Sequence, residues 1–169
     1  AVIGHEITHG YDDEGRHFDA DGNLTEWWTE SDTKQFDARA QKVVEEYNAF
    51  EALPGLHVNG KLTLGENIAD LGGVSIGYDA LQRALKKDPS KRKNIDGLTP
   101  EQRFFLSFAQ LWRINIREAE QRRLITVDPH SPGPFRSVGP LVNFQEFHDA
   151  FGIKSGDAMW REQEKRAKI

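Results

Sequence analysis

The chain has 169 residues, of which 37% are hydrophobic and 29% charged, a composition typical of a single globular domain with a hydrophobic core. Its 22 basic and 27 acidic residues give a net charge of −5, which argues against a nucleic-acid-binding surface. The absence of cysteine excludes disulfide bonds and thiolate metal ligands. No apolar run approaches the roughly 18 residues that a membrane-spanning helix needs, so we predict no membrane segment in this chain.

A short motif near the start of the chain predicts a metal site on a helix. His5 and His9 are four residues apart, so on a helix they share one face and their imidazoles can bind one metal ion. Glu6 follows His5 by one position and projects beside the metal. This arrangement is typical of H-E-x-x-H metallopeptidases, in which the glutamate acts as a general base on a water molecule.

The next predicted elements are defined by apolar spacing. Ile3 and Ile7 are four residues apart on the first helix, and we expect both to face the core. Thr29 as an N-cap, with Asp32 three residues later, predicts the start of a second helix. Its apolar residues recur with a 4-3-4-3 spacing and predict a core-facing stripe: Phe36, Ala40, Val43, Tyr47 and Phe50.

A long third helix is predicted after a helix-breaking Pro54-Gly55 pair. Thr63 and Glu66 have the spacing of a capping box, and the apolar pattern then continues to about Leu85. The pair Gly72-Gly73 inside this helix costs about 1 kcal/mol per glycine relative to alanine. Close approach of another backbone would explain both glycines.

Two more helices and a rigid loop complete the prediction. Thr99, Pro100 and Gln102 predict a helix start, and the helix that follows is the most apolar of the set: Phe104, Phe105, Phe108, Leu111 and Trp112. Residues 128–134 contain three prolines and predict a rigid loop. We expect Asn143 to cap a last helix. The predicted fold class is therefore mostly α, with short loops and hairpins.

The metal site needs a third protein ligand, because catalytic zinc is held by three protein side chains and one water molecule. Glu66 and Asp70 are four residues apart on the long helix and share a face. One of them can bind the metal, and the other can accept a hydrogen bond from the outer ring nitrogen of a histidine ligand. The spacing alone leaves open which carboxylate takes which position.

Three segments of the chain resemble the active-site segments of the neprilysin family of zinc metallopeptidases. They are VIGHEITHG at residues 2–10, GENIAD at residues 65–70, and DPHSPG at residues 128–133 followed by Arg136. Their order and content match, and the similarity covers nearly the whole chain. The resemblance implies a thermolysin-like (gluzincin) catalytic helical subdomain and one Zn²⁺ per chain. It also implies hydrolysis of internal peptide bonds in oligopeptides, with an apolar residue preferred just after the cut.

The resemblance also implies a role for each matching residue. The zinc ligands would be His5, His9 and Glu66, and the general base would be Glu6. Asp70 would orient His5, and His130 would stabilise the oxyanion. Arg136 would hold the substrate backbone and pair with Asp70. The remaining histidines receive no role: His17, His57 and His148.

The chain differs from the family in length and in cysteine content. Family members are several times longer and carry, upstream of H-E-x-x-H, an Asn-Ala motif that binds the substrate backbone and a large helical lid. We therefore expect residues 1–169 to be the C-terminal catalytic portion of a longer polypeptide, whose missing N-terminal portion is a partner. Mammalian members have disulfides in this region, so the absence of cysteine favours a bacterial protein, periplasmic or secreted, with a cytoplasmic location left open.

Two alternatives remain at this point. The chain by itself could be a zinc-binding fragment without peptidase activity, because the upstream substrate strand and lid are absent from it. It could also be an H-E-x-x-H peptidase of thermolysin type, since the pair Glu66 and Asp70 fits that wider group. His130 and Arg136, within their local strings, favour the neprilysin branch.

Overall fold

The computed structural model describes residues 1–168, and most of these are helical, which confirms the predicted mostly α class. In this part of the chain there are seven α-helices and one two-stranded antiparallel hairpin. Their bounds are α1 Val2–Thr8, α2 Glu30–Asn48, β1 Glu51–Leu53, β2 Leu56–His57, α3 Leu64–Lys87, α4 Pro100–Gln110, α5 Glu118–Val127, α6 Gly133–Val138 and α7 Gln145–Phe151. No helix within residues 1–168 is both long and apolar enough to cross a membrane.

The first part of the core lies between α2 and α3. Helix α2 begins with the predicted cap: the Thr29 hydroxyl accepts the Asp32 amide, and the Asp32 carboxylate accepts the Thr29 amide. The predicted stripe on α2 is buried at four positions, Phe36, Ala40, Val43 and Tyr47, while Phe50 packs at its edge. It packs against the buried side chains at the start of α3: Leu64, Ile68 and Leu71.

The second part of the core gathers around α4. Thr99 and Gln102 form the predicted capping box. Phe105 and Phe108 of α4 are buried against side chains of α3, α7 and the turn before α7: Val74, Leu141 and Phe147. Helix α4, the most apolar of the predicted helices, thus lies at the centre of this second cluster. Leu111, however, lies just beyond the end of the helix and is exposed.

Helices α1 and α3 touch through glycine, as the Gly72-Gly73 pair predicted. A Cβ atom on Gly73 would lie 2.6 Å from the carbonyl oxygen of Ala1 and 2.9 Å from the amide nitrogen of His5. A Cβ atom on Gly72 would overlap the side chain of Thr8. Because neither glycine has a side chain, the backbone of α1 lies directly on α3. This contact holds His5 beside the first turns of α3.

The prediction that Ile3 and Ile7 face the core is wrong. Their exposed fractions are 79% and 57%, and the only residue of α1 that is fully buried is Gly4. The reason is the rotation of the helix. The face that carries Gly4, His5 and Thr8 turns toward the glycines of α3, and successive residues are about 100° apart, so Ile3 and Ile7 point outward.

Two predicted helix caps are also wrong, because their side chains have other partners. The Thr63 side chain makes no cap hydrogen bond; its hydroxyl donates to the Asn59 carbonyl and accepts from the Asn67 side chain. Asn143 does not cap α7, whose N-cap is Phe144. The Asn143 side chain is instead buried, where it donates to Glu46 and accepts the amide of Ala167.

The structure differs from the prediction at one turn and at one loop. Helix α2 already ends at Asn48, and Pro54-Gly55 forms the turn of the hairpin instead of breaking a helix; Gly55 has a φ of 72°, which favours glycine. Residues 133–138 at the end of the predicted rigid loop form α6, and α5 precedes that loop. Neither short helix was predicted, because their apolar patterns are too brief to show a helical period.

The C-terminal segment is held against α2 by a buried carboxylate. Glu46 accepts a hydrogen bond of 2.9 Å from Asn143 and lies 3.6 Å from the guanidinium of Arg161. Burial raises the pKa of Glu46 to about 7, although Arg161 and Asn143 act in the opposite direction. The free energy of unfolding should therefore depend on the charge of this residue.

We expect Gly73→Ala to destabilise the fold, because the new methyl group would overlap the backbone of α1. Overpacking of this kind costs about 1–3 kcal/mol, which outweighs the gain in helix propensity of about 1 kcal/mol. Urea denaturation measures the change. Gly10→Ala is the matched control, since beyond its neighbours in the chain no atom lies within 4 Å of its added Cβ. Equal unfolding free energies for the two variants would contradict the proposed contact.

We expect Glu46→Gln to become more stable relative to the wild type as the pH rises. The pKa of Glu46 is about 7 in the folded state, against an ordinary value of 4.5, so the folded protein holds the proton more tightly than the unfolded chain does. The stability that the protonated carboxyl gives the wild type is therefore complete below about pH 4.5 and is lost as the pH rises through 7. At 1.36 kcal/mol per pKa unit the loss is about 3 kcal/mol. Denaturation at pH 4.5 and pH 8 measures it, with exposed Glu45→Gln as the control. A difference that does not change with pH would refute this assignment.

Candidate functional site

Helices α1 and α3 bring together two histidines and one carboxylate. His5 Nε2 lies 3.1 Å from His9 Nε2 and 3.3 Å from a carboxylate oxygen of Glu66, and His9 Nε2 lies 3.4 Å from the other oxygen. Ligands placed 2.0–2.2 Å from a tetrahedral zinc ion are about 3.3–3.6 Å apart. The three side chains therefore have both the chemistry and the spacing of a zinc site. Within residues 1–168 they form the only such group of potential metal ligands.

The outer nitrogens of both histidines contact buried carboxylates. His5 Nδ1 lies 2.8 Å from Asp70, and His9 Nδ1 lies 2.7 Å from Asp12. When the imidazoles are neutral, as in a metal complex, protons on these Nδ1 atoms leave the lone pairs of both Nε2 atoms directed at the shared centre. Asp70 thus takes the outer position that the sequence left open between the two carboxylates of α3, and Glu66 faces the two Nε2 atoms.

Asp12 was not found by the sequence reasoning. It lies just past the 3-10 turn His9–Tyr11 that continues α1, and its second oxygen accepts the amides of Glu14 and Gly15. These bonds hold the carboxylate beside the Nδ1 atom of His9. The available signal was the position of Asp12 three residues after a histidine of the motif, because one turn brings a side chain at that spacing next to the histidine.

The charges at the site favour a cation. Hydrogen bonds with Asp70 and then Glu66 raise the pKa of His5 to about 9. Burial acts to raise the pKa of Glu66, but the hydrogen bond with His5 and the charges of His130 and Arg136 outweigh it and lower that pKa. The carboxylate of Glu66 is therefore held in its ionised form, ready to bind a positive charge.

Arg136 joins α6 to the same centre. Its Nε and one terminal nitrogen each lie 2.8 Å from an oxygen of Asp70, and the pair is buried. The terminal nitrogen also lies 3.4 Å from Glu66. The guanidinium stacks on the ring of Trp112, 3.8 Å from its centroid. One flat face and the edge of the guanidinium are thus constrained, which fixes its direction toward the site.

His130 reaches the site from the loop before α6. Its Nε2 lies 3.2 Å from Glu66, and its Nδ1 lies 2.7 Å from a carboxylate oxygen of Asp128. The same oxygen accepts the backbone amide of His130 at 2.8 Å. Asp128 therefore sets the orientation of the ring, a role that sequence reasoning did not assign although the residue lies in the matching segment.

Glu6 and His130 border one cavity of about 170 Å³ together with His5 and Arg136. The side chain of Glu6 is exposed and is not one of the group of potential metal ligands. The remaining wall is mainly apolar: Ala1, Val2, Phe108, Leu111 and Trp112. A polar end that carries carboxylate, imidazole and guanidinium groups thus adjoins an apolar end. The histidines without a predicted role, His17, His57 and His148, do not border this cavity.

Comparison with known proteins identifies the family. The model of peptidase family M13 matches residues 1–167. Mouse neprilysin is 45% identical over 162 residues, which are 94% of this chain and 22% of neprilysin. Human endothelin-converting enzyme 1 is 44% identical over 160 residues, 94% of this chain and 20% of that protein. The chain thus spans about a fifth of the length of these relatives. The predicted resemblance to the neprilysin family, as opposed to thermolysin-type peptidases, is confirmed.

Solved structures give the same result for the fold. The zinc metalloprotease Zmp1 of Mycobacterium tuberculosis, in complex with an inhibitor, matches with a TM-score of 0.94 at 45% identity, covering 99% of this chain and 26% of Zmp1. PepO from Lactobacillus rhamnosis matches with a TM-score of 0.83 at 31% identity, covering 99% of this chain and 25% of PepO. The predicted fold is confirmed by both. The chain belongs to peptidase family M13.

Proposed function

We propose that this chain forms the catalytic centre of a zinc-dependent endopeptidase that cleaves internal peptide bonds of oligopeptides. One observation carries the proposal: three ligand atoms with the spacing of a zinc site lie beside a cavity that Glu6 and His130 border from opposite elements. Membership of peptidase family M13 supports it. We assign one Zn²⁺ per chain to His5, His9 and Glu66.

When bound, zinc would polarise the carbonyl of the scissile bond and lower the pKa of a water molecule to about 7. Glu6 would accept a proton from the attacking water as its oxygen bonds to the carbonyl carbon. It would then pass that proton to the amine nitrogen as the carbon–nitrogen bond breaks. Its place on the cavity wall, outside the ligand group, leaves the carboxylate free for this transfer.

His130 and Arg136 would stabilise the substrate during this reaction. His130 lines the cavity and its Nε2 atom lies 3.2 Å from Glu66, and a donor aimed at a developing oxyanion contributes roughly 3 kcal/mol to transition-state stabilisation. Arg136 has one side committed to Asp70, and we propose that its remaining donor capacity binds a carbonyl of the substrate backbone. Asp70 would orient His5 and Arg136 at once.

The apolar end of the cavity supports the preference for an apolar residue just after the cut. Val2, Phe108 and Leu111 line it within reach of the proposed reacting centre. Apolar side chains of the substrate would lose water on entering it, which favours their binding. We therefore propose oligopeptides with an apolar residue at this position as substrates.

A second candidate function is zinc binding without peptidase activity of this chain by itself. Val2, Ile3 and Ile7 expose apolar side chains on the outer face of α1, a surface of the kind that binds another protein segment. By this alternative the chain binds zinc but does not hydrolyse peptides, because substrate binding requires residues outside the segment that it shares with its relatives. The two candidates share the metal site and differ in turnover.

We expect Glu6→Gln to retain stoichiometric zinc and to lose roughly 10²–10⁴-fold in kcat, because the amide cannot accept the proton. Hydrolysis of a quenched fluorescent oligopeptide, with metal analysis in parallel, measures both. Glu118→Gln on α5 is the matched control, since it makes the same chemical change at an exposed ion pair with Arg122. Undiminished hydrolysis by Glu6→Gln would refute the general base. Stoichiometric zinc without cleavage by the wild-type chain would support the second candidate.

We expect Asp12→Ala to weaken zinc binding about 10–100-fold, the usual effect of removing a carboxylate that orients a histidine ligand. Without Asp12, the ring of His9 loses the partner of its Nδ1 atom. Competition with a chromophoric chelator measures the affinity. The matched control is Asp13→Ala, which removes the same charge from the next residue, a carboxylate not bonded to His9. If both variants bound zinc equally well, Asp12 would have no such role.

A further inference from the structure

A buried hydrogen bond connects the loop of His130 to helix α3. The Ser131 hydroxyl donates to the side-chain oxygen of Asn67 at 2.8 Å. Both side chains are shielded from solvent, with exposed fractions of 3% and 0%. Ser131 directly follows His130, and Asn67 directly follows Glu66. The bond therefore joins the neighbours of two site residues that belong to different segments of the chain.

Asn67 is also hydrogen-bonded to the turn before α3. Its side-chain NH₂ group donates to the Thr63 hydroxyl at 2.9 Å, and that hydroxyl donates to the Asn59 carbonyl at 3.2 Å. Every polar group in this series of hydrogen bonds has a partner, and each partner sets the orientation of the next group. The direction of the Asn67 carboxamide is thereby defined, with its oxygen toward Ser131.

His130 depends on this anchor for its distance from Glu66. Asp128 orients the imidazole, but Asp128 belongs to the same loop and would move with it. The side chain of His130 is half-exposed, so packing around the ring does not fix its place. The Ser131–Asn67 bond is the buried polar link from this loop to the helix that carries Glu66.

We propose that Ser131, Asn67 and Thr63 are positioning residues that hold His130 at the reacting centre. The proposal rests on the proposed function, in which His130 stabilises the oxyanion. A displacement of about 1 Å in such a donor is enough to lower the rate strongly, because the bond to the oxyanion forms fully only in the transition state. The three residues would therefore affect kcat more than KM.

A double-mutant cycle tests whether Ser131 acts through His130. We expect Ser131→Ala to lower kcat roughly tenfold, as the loss of one buried hydrogen-bond partner predicts, with KM within about twofold and zinc stoichiometric. In the His130→Ala background, Ser131→Ala should cause no further loss. The matched control is Ser137→Ala, which removes a hydroxyl that donates within its own helix to Pro134. Independent, additive losses from the two substitutions would overturn the proposal, as would loss of zinc from Ser131→Ala.

Hydrogen–deuterium exchange gives a readout that does not need activity. We expect Ser131→Ala to accelerate exchange of the amides of His130 and Ser131, while the amides in the middle of α3 remain protected. Unchanged exchange at His130 would overturn the proposal even where hydrolysis is absent. A wild-type polypeptide that binds zinc but cleaves no peptide would contradict the proposed function alone, so the two failures are distinguishable.

Discussion

The arrangement of the site depends on the close contact between α1 and α3. Gly72 and Gly73 let the backbone of α1 lie directly on α3, so His5 is placed beside the first turns of the longer helix. A side chain at either glycine would separate the two helices and would move the imidazoles away from Glu66. The helix propensity lost at the two glycines is therefore offset by a geometry that no larger residue permits.

Asp70 fixes the positions of the side chains around this contact. Its carboxylate accepts from His5 on α1 and makes two hydrogen bonds with Arg136 on α6, so three helices share one buried anion. Burying the carboxylate is costly unless every lone pair is satisfied, and here the partners are a histidine and a bidentate guanidinium. The same contacts that compensate the charge also fix the directions of His5 and Arg136. Stability and orientation thus have one physical origin.

Two of the groups that would touch the substrate, Glu6 and His130, are less buried than the residues that hold the site. Glu6 and His130 are accessible from the cavity, whereas Asp12 beside His9 and the pair Asn67 and Ser131 beside the loop of His130 are buried. Because the holding residues are excluded from water, their hydrogen bonds define one arrangement of the exposed groups. In this way the loop of His130 is attached to α3, although the loop itself contains neither helix nor strand before α6 begins.

The sequence by itself determined the mostly α class, the family resemblance, the capping of α2 and α4, and the close approach at Gly72-Gly73. These features depend on local spacing and on residue types with narrow physical uses. Only the tertiary structure decided which face of α1 is buried, which is why the expected burial of Ile3 and Ile7 was wrong. It also decided the partners of Thr63 and Asn143, and it revealed Asp12. Each of these depends on how elements distant in the sequence are rotated and packed, and a polar side chain bonds to whatever group that packing brings within reach.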